Sequence, residues 1–118
     1  AYGMRTYADR GVIAAASTDA PVVPPNAMIG IQTMMTRSDI GGETVWAEEA
    51  VSLDDALRAY TVNGAYASFE ETIKGTLAPG MLGDVTIFET DLDSVAAAEI
   101  GSVRVDHTIL DGNVVYSR

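Results

Sequence analysis

Five consecutive apolar residues, Val12-Ile13-Ala14-Ala15-Ala16, run straight into Ser17-Thr18-Asp19 and then Pro21, Pro24 and Pro25. A short continuous apolar run, unlike an alternating one, predicts a strand buried on both faces, the pattern of a parallel sheet. Prolines have no amide hydrogen to give to a ladder, so that strand has to stop at the turn. Upstream, Met4, Tyr7 and Ala8 stand at helical spacing within residues 1–10, with Gly11 as the stop. Downstream, Met28, Ile31 and Met35 repeat at helical spacing, Ile29 and Met34 widen the stripe, and Arg37 falls in the last turn. Helix, strand, turn and helix in this order make one unit of an α/β fold.

The middle of the chain is more polar. Residues 38–50 hold Gly41-Gly42, Trp46 and Glu48-Glu49 and read as a loop. Ser52 with Asp55 three residues later is a capping-box variant that opens a third helix, whose apolar face is Leu53, Ala56, Leu57 and Tyr60. Asn63-Gly64 is expected to break or kink it, with Ala65 to Phe69 continuing as a short helix.

From there the signals are those of strands and turns. Ala78-Pro79-Gly80 is a type II turn signal. Asp84 to Glu89 reads as a strand that sets Val85 and Ile87 against Thr86 and Phe88. Asp111-Gly112 joins Val103–Leu110 to Val114–Tyr116 as a hairpin, and Ser94 to Glu99 fits one or two helical turns. The change of character near Glu71–Gly75 divides the chain into residues 1–70 and 71–118.

Charge and composition narrow the function. Seventeen acidic against seven basic side chains give a net charge of −10 in 118 residues, which argues against nucleic acid or an anionic membrane as partner. No apolar run approaches the roughly 20 residues of a membrane span. Without cysteine there is neither a disulfide framework nor a thiolate nucleophile or ligand, and cytoplasm is the default location. The chain opens Ala1-Tyr2-Gly3 rather than with Met, which reads as a processed protein or a piece of a longer one.

Few residues are placed to do chemistry. Asp19 follows a predicted parallel strand, and the carboxyl end of such a sheet is where α/β folds put active sites. On position alone, it fits either a carboxylate that ligates a metal or moves a proton, or one that caps its own turn. His107, the one histidine, sits in a predicted strand and reads as packed or surface-exposed rather than a ligand. The pairs Glu48-Glu49, Asp54-Asp55 and Glu70-Glu71 diverge by geometry and read as solvated faces. Met28, Met34 and Met35 read as core. Residues 75–80 lack the Lys and Ser/Thr of a phosphate loop, and Ser17 and Ser52 have no histidine near them in sequence to form a triad.

Several stretches together resemble the amidohydrolase superfamily. Ser17-Thr18-Asp19-Ala20-Pro21-Val22 is similar to its "GSDAPV" segment, and Ser52 to Asn63 to its "SxxEALRAYTxN" helix. Gly75 to Asp84 resembles its "GxLxxGKLAD" turn, and Thr108 to Tyr116 its closing "TIVDGxVVY" hairpin. Ser17, Thr18, Met81 and Gly83 stand where the family usually has Gly, Ser, Lys and Ala. The branch these stretches resemble is the amidohydrolase family 3 group, which includes N-substituted formamide deformylase-like enzymes.

The resemblance implies an α/β fold: the last βα portion of a (β/α)8 barrel in residues 1–70, then the C-terminal strands of a small β-sandwich in 71–118, incomplete as an isolated fold. It implies a parent enzyme that hydrolyses a non-peptide C–N bond with water activated by a divalent metal, usually zinc. Asp19 would be both a metal ligand and the proton-shuttling catalytic residue. The partner would be a small-molecule substrate. A catalytic zinc normally takes three or more protein ligands, so this chain alone is expected to be inactive and to hold no metal tightly. Its bare strand edges are expected to drive self-association or pairing with the missing N-terminal portion. The competing reading is a free-standing, non-catalytic structural or interaction domain derived from the same family.

Overall fold

Asn26 opens the first long helix. Its side-chain oxygen accepts from the amides of Met28 (3.0 Å) and Ile29 (3.4 Å), two of the donors a helix start leaves bare. In the computed structural model, which describes residues 2–39 and 41–118, this helix is α2 (Ala27–Thr36). It lies between α1 (Met4–Asp9) and the pair α3 (Leu53–Tyr60) and α4 (Val62–Ala67). Strands β1 (Val85–Phe88), β2 (Val105–Leu110) and β3 (Asn113–Ser117) follow, and short 3₁₀ turns occupy Ala47–Glu49, Leu92–Ser94 and Ala97–Ser102. Ala1 and Ile40, within the expected first helix and loop, lie outside the described residues.

The core forms where α2 meets α3 and the Ala97–Ser102 turn. Met28, Ile31 and Met34 of α2 pack with Val51, Ala56, Ala59, Leu92 and Ile100. Ala56 and Ala59 present almost no side chain, which lets α3 approach closely, and the Tyr60 ring lies over Gly30 where any Cβ would collide with it. Two polar ties fix the assembly: Gly101 N–H donates to Gln32 Oε1 (2.8 Å) and Val51 N–H to the Met34 carbonyl (3.1 Å). Ile29 is exposed instead of widening the buried stripe. Arg37 does not lie within the last turn of α2. It caps the helix in the left-handed conformation, φ 57°.

The strands form one open antiparallel sheet in the order β1-β2-β3. Asp111 and Gly112 both have positive φ, 48° and 75°, the geometry that matches the twist of a two-residue hairpin. The Pro79-Gly80 turn also forms, with Met81 N–H on the Ala78 carbonyl at 3.1 Å. Alternation along β1 fails, and the register slips between Ile87 and Phe88: Ile87 pairs with His107 but Phe88 with Val105. The extra residue, Asp106, is a bulge on β2, and Phe88 is half-buried like Val85 while Thr86 and Ile87 are exposed.

Two further expectations are corrected. The helix break falls at Thr61 (φ −123°, ψ −94°), while Asn63 and Gly64 lie inside α4. Residues 12–16 are no strand, and Val12 and Ile13 are 53 % and 51 % exposed. A parallel strand is buried by the strands beside it, and among the described residues none runs alongside this segment. The result is a mixed α/β architecture whose sheet is open and incomplete, as the fold class anticipated.

Candidate functional site

Asp19 sits where residues 12–18 hand over to a tight turn. Its φ of 51° is left-handed, a conformation that Asp tolerates better than most side chains. The turn closes through Val22 N–H on the Asp19 carbonyl (2.9 Å), with a cis Ala20–Pro21 bond inside it. Ser17 Oγ accepts the Asp19 amide at 3.2 Å. The capping therefore comes from Ser17. Among the described residues no donor or cation reaches the Asp19 carboxylate, which stands exposed.

The segment leading to Asp19 is anchored by helices rather than by strands. Ala16 N–H donates to the Ala59 carbonyl at 3.0 Å, and Asn63 Nδ2 donates to the Ala14 carbonyl at 3.0 Å. Val12 N–H returns to the Tyr7 carbonyl of α1 at 2.9 Å. A cavity of about 220 Å³ borders this segment, lined in part by Tyr7, Val12, Ile13, Arg58 and Asn63. A larger cleft of about 490 Å³ lies between α3 and β1, over Leu57, Ile87 and Phe88. Asp19 lines neither.

The other acidic residues have structural partners or face water. Glu49 reaches across the chain to the first turn of α1, accepting the Thr6 amide at 2.9 Å and the Thr6 hydroxyl with its second oxygen. It serves as a cap supplied from 43 residues away, and no local pattern announces it. The Thr6 hydroxyl, then the Thr6 amide, hold its carboxyl below the usual range. Asp55 belongs to the Ser52 cap, whose Oγ accepts the Asp55 amide at 3.1 Å, and Glu70 pairs with Lys74. His107 is half-buried on the central strand opposite Ile87 and Ser117. Among the described residues no three or more His, Asp or Glu side chains gather closely enough to hold a metal ion.

Glu89 anchors the free end of the sheet. It accepts the Arg104 Nε (3.0 Å) and amide (2.9 Å), and Arg118 Nη1 at 3.2 Å. These bonds, the Arg104 side chain first, lower its pKa from 4.5 to about 2. A carboxyl with a depressed folded-state pKa stabilises the fold fully above its unfolded pKa and loses that contribution as pH falls through the folded one. Wild type is therefore expected to exceed Glu89→Gln in denaturant midpoint at neutral pH, with the gap closing between 4.5 and about 2. A gap that stays constant across that window contradicts the pairing.

The profile of the amidohydrolase family matches residues 1–116. N-substituted formamide deformylase from Arthrobacter pascens is 28 % identical over 99 % of this chain and 22 % of its own length. Protein LONG AFTER FAR-RED 3 from Arabidopsis thaliana is 30 % identical over 98 % of this chain and 20 % of its own. Among solved structures, an amidohydrolase from Thermotoga maritima MSB8 superposes with a TM-score of 0.73 at 23 % identity, over 98 % of this chain and 26 % of that one. The chain thus spans between a fifth and a quarter of the curated relatives that match it along its whole length.

Proposed function

Because the chain belongs to the amidohydrolase family, matched over residues 1–116, we propose that it is the C-terminal segment of a metal-dependent hydrolase that cleaves a non-peptide C–N bond. The family 3 branch and an N-formyl or N-acyl amide are the class we assign, supported by the likeness to the formamide deformylase. One observation carries the reading: a carboxylate on a restrained turn, at the end of an anchored segment, with no protein partner among the described residues to explain it. An exposed anion so held is ready to bind a cation or take a proton, and structural duty elsewhere does not compete for it.

The residues present do not make a metal site by themselves. Asp19 supplies one oxygen ligand where a catalytic zinc takes three or more, so the remaining ligands belong to other parts of a longer polypeptide. Within the reaction, Asp19 accepts the proton that the attacking water loses and returns it to the departing nitrogen. Val12 and Ile13, half exposed at the start of the segment that leads to it, are the surface that the rest of the enzyme covers.

The test is to express the full reading frame containing these 118 residues and follow amine release from N-substituted formamides and N-acyl amines. Turnover that a chelator abolishes and a divalent metal restores is the expected result, with the 118-residue chain alone inactive. No release of amine from any of these substrates overturns the hydrolase reading in favour of a non-catalytic domain.

A further inference from the structure

We infer that Asn63 is a positioning residue for Asp19, acting through the backbone of the segment that carries it; this rests on the assignment of Asp19 proposed above. The interruption at Thr61 makes the arrangement possible. In an unbroken helix the Ala59 carbonyl would accept the amide of the residue four places on. Here Thr61 N–H closes α3 on the Arg58 carbonyl at 3.2 Å, and the Ala59 carbonyl accepts the Ala16 amide instead. One turn further, at the start of α4, Asn63 Nδ2 donates to the Ala14 carbonyl at 3.0 Å.

The two bonds therefore grip the segment at residues 14 and 16, and Ser17 Oγ then holds the Asp19 amide. Of these three contacts, the ones made by Asn63 and Ser17 come from side chains, and of those two only Asn63's joins the segment to another element. Its duty requires a donor. An ionised Asp has the same shape but only acceptor oxygens, which would face the Ala14 carbonyl with lone pairs on both sides. Catalysis is sensitive to such anchoring because displacing a reacting group by about 1 Å can cost on the order of a hundredfold in rate.

The experiment uses the complete hydrolase with Asn63→Asp, Asn63→Ala and Asn63→Gln, and Asp19→Asn in parallel. Asn63→Asp and Asn63→Ala are expected to lower kcat per folded molecule by about tenfold to a hundredfold with little change in KM. They are also expected to move the acid limb of the pH–rate profile, and Asn63→Gln, which keeps the donor, restores part of the rate. A purely structural role would lower the melting temperature and leave kcat per folded molecule and the acid limb in place; that result overturns the proposal. Should Asn63→Ala and Asn63→Asp fail to fold, the Gln variant decides: a kcat and acid limb identical to wild type, together with lost exchange protection at the Ala16 amide, count against positioning. Full activity in Asp19→Asn sinks the assignment of Asp19 itself, a separate outcome from failure of the Asn63 variants alone.

Discussion

Asp19→Asn is expected to lower kcat of the complete hydrolase by about 10²- to 10⁴-fold, the range that a positioned proton-transfer group contributes. The substitution is well suited to the question. Asn is as much at ease as Asp in the left-handed conformation that the turn imposes, and the carboxylate it replaces has no protein partner to lose among the described residues. Thermal unfolding should therefore match wild type while turnover collapses. A variant that keeps its rate within a few-fold, or one that unfolds before it can be assayed, contradicts the reading of this side chain as reactive and unburdened. Glu49→Gln is the contrast: that carboxylate holds Thr6 at the head of α1, so its loss is felt in stability.

The second large effect belongs to the core. Ile100 has no exposed surface and fills the space between α2 and the Ala97–Ser102 turn. Truncating it to Ala removes three methyl(ene) groups from a site hemmed in by Met28, Ile31 and Leu92, which relaxes only partly into the space. The expected loss is about 2–5 kcal/mol of unfolding free energy, the range for buried Ile or Leu cut to Ala. Denaturant unfolding of the variant measures it. Val115→Ala on β3, where the residue is 59 % exposed, should stay within about 0.5 kcal/mol of wild type. Equal effects from the two substitutions would show that the turn is not part of the cooperative core.

Features written within a few residues of one another were legible in the sequence. Ser52 and Asp55 cap α3, Pro79-Gly80 turns, and Asp111-Gly112 builds the hairpin, because each depends on local backbone preferences. What failed depends on distant neighbours. Residues 12–16 have the composition of a sheet-buried strand, but burial is conferred by the strands beside it and none of the described ones lies there. The register shift beside β1 comes from Asp106 on the opposite strand, where no feature of Val85–Phe88 could show it. Asn63-Gly64 is a strong breaker pair, yet the break came two residues earlier, where the carbonyl it releases meets Ala16. For the candidate site, the residue type and its place after an apolar run drew attention to Asp19, but that the capping bond in this turn is made by Ser17 was not legible. Asn63 stood out only as half of a breaker pair and the end of a matched stretch, and nothing near it in sequence announced its bond to Ala14.

The tie between Gln32 and Gly101, 69 residues apart, bears on how the chain is born. Synthesis delivers α2 long before the Ala97–Ser102 turn, and until that turn leaves the ribosome the methionine-lined side of the helix has only Val51 and α3 to close against. Stalling or premature termination anywhere before Ile100 would release a nascent polypeptide with that side only partly covered, a species suited to chaperones and proteases rather than to folding.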